Sequence, residues 1–256
     1  ITYNLKTKEV KDLGPVSGEG ENGAGPAYRT LCRAIAINPL SGNVYLTNAE
    51  GAILRYTPGT KKLKKIAENM VKDYFGWYDP SSPGHMGYNW RQINWSPVDQ
   101  SFYGVHGNSG YLFRFNPASE TISVLDRITS KASKESGMFD QFSYGYLGFI
   151  FGPDKRTLYY LTGSPIYDHG KRVKGKDRTA MGEAKGLEDL HLITYDIKSG
   201  TYTDHGVIFY QDGQRPLYVN SIAVAKDGTV YTLARITEKG ITRTDLVRIP
   251  HKLTKK

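Results

Sequence analysis

An all-β fold is predicted for this 256-residue chain by three observations: Tyr and Gly are abundant (19 and 28 residues), a four-strand pattern recurs along it, and no helical stripe separates the copies. Aromatic residues favour a pleated surface, and Gly supplies the tight turns between short strands. The innermost strand of each copy is read in RAIAINP from Arg33, RQINWSP from Arg91, LGFIFGP from Leu147 and NSIAVAK from Asn220. A polar turn then leads to NVYLTN from Asn43, SFYGVHGN from Ser101, TLYYLTG from Thr157 and TVYTLAR from Thr229. Third strands follow as ILRY from Ile53, LFRF from Leu112, LITYDI from Leu192 and LVRI from Leu246, and fourth strands as KLKKIAE, TISVLDRI and TYTDHGVI.

Strand–turn–strand segments of this length describe an antiparallel meander, and a four-stranded repeat of roughly forty residues is the sequence mark of a β-propeller blade. Residues 1–16 run parallel to 193–207, so the chain opens on the third and fourth strands of a blade, and the last copy shows no fourth strand. The expectation is one propeller domain over 1–256, with three full blades and two partial ones. It is expected to lack N-terminal blades and to number seven when complete, because an open ring leaves an unpaired edge.

Composition narrows the function. No eighteen-residue apolar run exists, so no membrane-spanning helix is predicted. Cys32 is the only cysteine, which excludes an internal disulfide and a multi-cysteine metal site; within LCRAIAI it reads as a small buried hydrophobe. The net charge of +9 favours acidic partners, whether sugar, nucleic acid or lipid. Part of that charge sits in KKLKK at 61–65 and in the terminal HKLTKK, which read as solvated.

Functional residues are expected on one face of the propeller, where the chain leads into each first strand and where second strands turn into third strands. Arg33, Trp90, Arg91, Tyr144, Tyr146, Tyr218 and Asn220 fall on the lead-ins; Asn48, Glu50, His106, Asn108 and Arg235 fall on the turns. His85 lies in the long lead-in DPSSPGHMGYNW. A 27-residue insertion at 164–190 carries Lys171, Arg172, Lys174, Lys176 and Arg178 and would overhang the same face as a lid for an acidic ligand. The gapless register makes Arg33, Arg91 and Asn220 equivalent. Two guanidinium groups sharing a cavity with His106 and Tyr146 would be tolerated where an anion binds.

No serine nucleophile elbow, P-loop, dinucleotide fingerprint or helical zinc motif is present, and Glu50, Glu183, Glu188 and Asp189 show no spacing that pairs them for glycoside hydrolysis. His, Tyr and Arg together suit β-elimination from a uronate. A cation neutralises the carboxylate, a His or Tyr removes the C5 proton, and a Tyr or His protonates the departing oxygen.

GHMGYNWRQINW, YGVHGN and SYGYLGFIFGP resemble the propeller polysaccharide lyases that act on uronate sugars such as ulvan. The resemblance covers about 70 residues. It implies two histidines on one blade, His85 and His106, and tyrosines on the next, Tyr144 and Tyr146, as the catalytic set. Arg33, Arg91, Trp90, Asn108, Arg172 and Asn220 form the expected substrate-binding set. The pattern departs at Thr162, where those lyases carry Arg, so Arg91 or Arg172 would have to meet the carboxylate. The implied partner is an acidic polysaccharide or oligosaccharide rather than nucleic acid or membrane. The implied setting is secreted or periplasmic, with no cofactor, a structural or catalytic divalent cation being the alternative.

YVNSIAVAKDGTVYTLAR and RAIAINPLSGNVYLTNAEGAILRYTP are also similar to gluconolactonase and NHL-type propellers, some of which bind a divalent ion through an Asn matching Asn220. Arg33, Arg91 and Leu147 stand where that reading needs carboxylates. A propeller that only binds a glycan or protein is the third alternative.

Overall fold

The computed structural model describes residues 1–14, 32, 34–48, 51–60, 62–67, 90–106, 110–136, 148–165, 167–169, 171–173, 188–216, 218–219 and 221–250. The first sheet is β3 (Ala34–Ile37), β4 (Val44–Thr47), β5 (Ile53–Thr57) and β6 (Lys62–Ala67). β1 (Thr2–Tyr3) and β2 (Val10–Lys11) precede it as a hairpin. The second sheet is β7 (Trp90–Ser96), β8 (Ser101–His106), β9 (Tyr111–Asn116) and β10 (Thr121–Arg127), followed by the short helix α1 (Lys131–Ser136). The third takes β11 (Phe149–Phe151), β12 (Thr157–Pro165), β15 (Glu188–Asp196) and β16 (Thr201–Ile208). Between β12 and β15 stands a ribbon of β13 (Tyr167–Asp168) and β14 (Lys171–Arg172). In the fourth, β17 (Tyr218–Val219) and β18 (Ala223–Val224) both pair with β19 (Val230–Glu238), which pairs with β20 (Ile241–Ile249). Each full sheet is an antiparallel meander in chain order.

The sheets are arranged as propeller blades. Innermost strands of successive sheets approach one another, β3 to β7, β7 to β11 and β11 to β18. Asn94 of β7 donates to the Phe149 carbonyl of β11 at 3.2 Å across one such junction. Each main core cluster lies between two neighbouring blades. Ala34, Tyr45 and Ile53 meet Trp90, Ile93, Phe102, Phe113 and Phe115. Tyr103, Val105 and Leu112 meet Phe149, Leu158, Tyr160 and Tyr195, and Leu161, Leu190 and Leu192 meet Val219, Val230 and Ala234. Alternate residues of one strand therefore serve alternate neighbours. Phe102 packs toward the first blade and Tyr103 toward the third, so all six residues of β8 are buried. Face-to-face packing of this kind needs apolar residues on both sides of a strand set between two blades, which is why FYGV and LYYL lack a polar face.

The repeat holds to individual hydrogen bonds. In the N-terminal hairpin Thr2 pairs with Lys11 and Tyr3 with Val10; in the third blade Thr194 pairs with Thr203 and Tyr195 with Tyr202. Asn4 accepts from the amides of Lys6 and Thr7 as Asp196 accepts from Lys198 and Ser199. Asn116 makes the same Asx turn. Gly14 and Gly206 share positive φ (85° and 87°), each donating its amide to an Asp two residues back. The first two strands, β1 and β2, thus pair in the register expected of a third and fourth strand.

Three details depart from the gapless register. β12 and β15 run nine residues each and stay paired out to Pro165 and Glu188, so the blade itself takes up both ends of the expected 164–190 insertion. In the fourth blade the third strand begins at Ile241, not Leu246. The two-residue turn Lys239–Gly240, with φ of 50° and 78°, closes it as a type I′ hairpin, whose twist suits long strands. β7 carries a bulge: Trp90 faces His106 and Gln92 faces Val105, leaving Arg91 as the extra residue.

Candidate functional site

Strand direction gives the blades two ends. The upper end holds the starts of first strands and the turns from second to third strands; the lower end holds the turns from first to second and from third to fourth. His106 is the last residue of β8, at the upper end, and is fully buried. Its carbonyl accepts from the Gly110 amide at 2.8 Å, which closes the turn into β9. It lies on the strand face shared by Phe102 and Gly104, opposite Trp90.

Trp90 corrects the expectation of a ligand-contacting residue. Its ring has no exposed surface, packs flat on Gly104 and stacks on Phe113 with centroids 5.5 Å apart at 13°. The bulge is the cause. Without it Arg91 would oppose His106; with it, Trp90 takes that register and turns into the core. Arg91 is described in its backbone alone, as the bulged residue, and Arg172 likewise, as the partner of Tyr167 in the β13–β14 ribbon. Arg33, His85, Asn108, Tyr144, Tyr146 and Asn220 lie outside the described residues, and with them the expected convergence of Arg33 and Arg91.

Other upper-end residues have structural work. Asn48 is buried, and its side-chain oxygen accepts from the Ala52 amide at 2.9 Å, holding the turn between β4 and β5. Asp189 accepts from Arg215 at 2.5 Å, tying β15 to the segment after β16. Thr162 is buried, opposite His191. Cys32 donates to the Ala34 carbonyl at 3.3 Å, and burial above all pushes its thiol up, which fits the inert reading. Among the described residues no group of three or more His, Cys, Asp or Glu side chains could hold a metal, and no helix is long and apolar enough to cross a membrane.

A buried polar cluster at the junction of the second and third blades was not read from the sequence. His191 of β15 donates from Nδ1 to the Asp204 carboxylate of β16, at 2.8 and 3.0 Å from its two oxygens. Asp204 also accepts from the Lys131 amide at 2.8 Å, at the start of α1. The Tyr202 hydroxyl donates to the Thr129 carbonyl at 2.6 Å, and the Lys134 ammonium lies 4.3 Å from the Tyr202 ring centroid while pairing with Asp126 at 2.6 Å. Arg127, also buried, donates to the Ser133 carbonyl at 3.0 Å; burial lowers its pKa, opposed by Tyr111, Tyr160 and Tyr202. The cluster pins the second-to-third connection, 128–136, onto the third blade. The signal lay in HLITYD and TYTDHG, since strands joined by a short turn bring His191 and Asp204 side by side.

Burial works to raise the Asp204 pKa, but the bonds from His191 and from the Lys131 and Gly206 amides outweigh it and hold the carboxyl below its usual value. A carboxylate with a depressed folded pKa contributes stability above its unfolded pKa, about 4, and loses it as pH falls through the folded value. Asp204→Asn is therefore expected to lower the melting temperature near neutral pH. It should also flatten the fall in melting temperature upon acidification below about pH 4, as scanning calorimetry at stepped pH would show. Parallel wild-type and variant acid profiles would refute this assignment.

No protein-family model matches the chain, and no curated protein matches it. Solved structures similar in backbone course include a chain of a nidogen/laminin complex, at 10% identity and a TM-score of 0.46 over 85% of this chain. The tricorn protease is similar at 13% identity and 0.44 over 84%, and a structural genomics protein of unknown function from Bacteroides thetaiotaomicron at 14% and 0.45 over 78%. The chain spans 65%, 16% and 43% of those three chains, respectively. The propeller assignment rests on the chain's own sheets: consecutive four-stranded meanders whose innermost strands neighbour one another in chain order.

Proposed function

We propose that this propeller is a lyase that cleaves an acidic, uronate-containing polysaccharide by β-elimination. The reading is supported chiefly by the register at the upper end of the second blade, where His106 closes β8 opposite a bulge that singles out Arg91. Bulges gather beside functional sites because they re-aim a side chain. The net charge of +9 and the order of His85, His106, Tyr144 and Tyr146 along the chain agree with it.

In this mechanism Arg91, with Arg33 or Arg172, binds the uronate carboxylate and makes the C5 proton more acidic. His106 takes that proton, for which its ring, fully buried at rest, has to turn toward the substrate. The electrons of the broken C5–H bond form the C4–C5 double bond, and the C4–O bond to the next sugar breaks. Tyr146 or Tyr144 protonates the departing oxygen, and His85 orients the sugar or shares the proton transfer. No water and no redox partner is consumed.

A panel of uronate polysaccharides, followed by ultraviolet absorbance of the conjugated unsaturated uronate, tests the proposal. Absorbance should grow with at least one of them. Flat traces with every polymer, together with calcium-dependent lactone hydrolysis, would replace this reading with the lactonase one. Flat traces with tight glycan or protein binding would leave a binding scaffold.

A further inference from the structure

We infer that the lower end of the junction between the first and second blades is a second, non-catalytic saccharide-binding site that takes a pyranose ring against Trp95. A pocket of about 310 Å³ opens there, on the end of the propeller opposite His106. That volume holds one sugar residue with part of its neighbour. It is lined by the half-buried Trp95 and by Tyr45, with Asn43, Arg55, Asp99 and Asn116 around them.

Comparison of the blades shows why the pocket is there. In the second blade Tyr103, Arg114 and Asp99 close on one another: the Tyr103 hydroxyl and Arg114 Nε both donate to Asp99 Oδ2 at 2.8 Å. The equivalent positions in the first blade are Tyr45, Arg55 and Ser41. A serine is too short and uncharged to draw the two donors together. Arg55 instead reaches across the junction to Glu120 of the second blade at 2.8 Å, and the space between the blades stays open. One triad filled and its counterpart emptied by a single residue type is what distinguishes this junction from its neighbour. Between the second and third blades the corresponding space is crossed by Ser96 donating to the Lys155 carbonyl at 3.4 Å.

The lining selects the ligand class. An indole edge-packed on Phe102, with centroids 4.9 Å apart, is held rigid and offers a flat apolar face, which suits the C–H face of a pyranose. Around it, Asn43 and Asn116 bring carboxamides and Tyr45 a hydroxyl, a mixture of donors and acceptors that matches sugar hydroxyls. Asp99 also lines the pocket, with its Oδ2 already accepting from Tyr103 and Arg114. Arg55 is already paired with Glu120, so the pocket lacks the bare cation cluster that a phosphate would need. The site stands independently of the lyase reading, though on a polymer-degrading enzyme it would retain the chain away from the cleavage end.

The test is calorimetric titration of the full chain with tetrasaccharides, neutral and uronate-containing, in the His106→Ala background so that cleavage cannot intervene. At least one should bind. Trp95→Ala should weaken it about tenfold or more and Asn43→Ala about threefold to tenfold, the worth of a stacking face and of one hydrogen bond. If Trp95→Ala fails to fold, Trp95→Leu beside Asn43→Ala decides the matter: both should weaken binding, because leucine fills the space without offering a flat ring face. Absence of binding by every tetrasaccharide would overturn the inference, as would affinities unchanged in Asn43→Ala and Trp95→Ala. Either result leaves the ultraviolet assay untouched, so the two readings fail separately.

Discussion

Gly104→Ala is expected to lower the melting temperature by about 10 °C, an outsized effect for one methyl group. A Cβ at this position would lie 2.0 Å from Trp90 Cε3, 2.5 Å from Cδ2 and 2.8 Å from Cζ3. Something must move, and the indole has no room. It is fully buried and stacked on Phe113, in the cluster that joins the first two blades. The cost should reach the top of the ~1–3 kcal/mol that overpacking exacts. Trp90→Ala removes the obstacle but leaves a large void, at about 3–5 kcal/mol. The double replacement Gly104→Ala with Trp90→Ala should therefore be more stable than the sum of the single changes predicts, because the methyl group then meets no indole. Thermal melts of the four proteins check this. A Gly104→Ala protein melting within about 1 °C of the parent would mean that the indole does not lie across Gly104.

The second large effect falls on turnover. His106→Ala should reduce kcat by about 10²–10⁴, the range of a general base, and leave oligosaccharide affinity close to that of the parent. A group that accepts a proton in the transition state contributes little to the ground state, so the loss appears in kcat and kcat/KM alike. Arg91→Ala should behave otherwise. A cation on the carboxylate stabilises bound substrate and transition state together, so affinity and kcat both fall, and added salt should weaken the parent more than the variant. Circular dichroism should show both variants folded. Retained turnover in His106→Ala would remove this residue from the proton transfer.

How much of this was legible in the sequence depends on the scale of the feature. Blade order was legible because each turn carries local chemistry: Asn4, Asn116 and Asp196 fold the chain back with the same Asx bonds, and any reader of NLK, NPAS and DIKS meets the same signal. The two-sided burial of β8 was not read from the sequence, although its central residues FYGV offer no polar face. The bulge at Arg91 was not legible, because one extra residue in a strand leaves no mark on composition while it swaps which side chain faces His106. Trp90 was misplaced for that reason. The His191–Asp204–Lys131 cluster escaped because Lys131 and Asp204 stand 73 positions apart and meet only when blades pack. The Trp95 pocket depends on Ser41 standing where the next blade has Asp99, a difference that carries meaning once Tyr103 and Arg114 are seen closing on that acid. Local turns write themselves into sequence. Contacts between blades do not.

Mass spectrometry of the cleavage products tests the lyase account most directly. β-Elimination breaks the C4–O bond without consuming water, so each new non-reducing end carries a double bond. Each such fragment is one water lighter than the product of hydrolysis at the same linkage. With an accepted uronate polysaccharide the account predicts those lighter fragments and no incorporation of heavy oxygen from labelled water during cleavage. Products of full hydrolytic mass, bearing the heavy oxygen at the newly formed end, would contradict it.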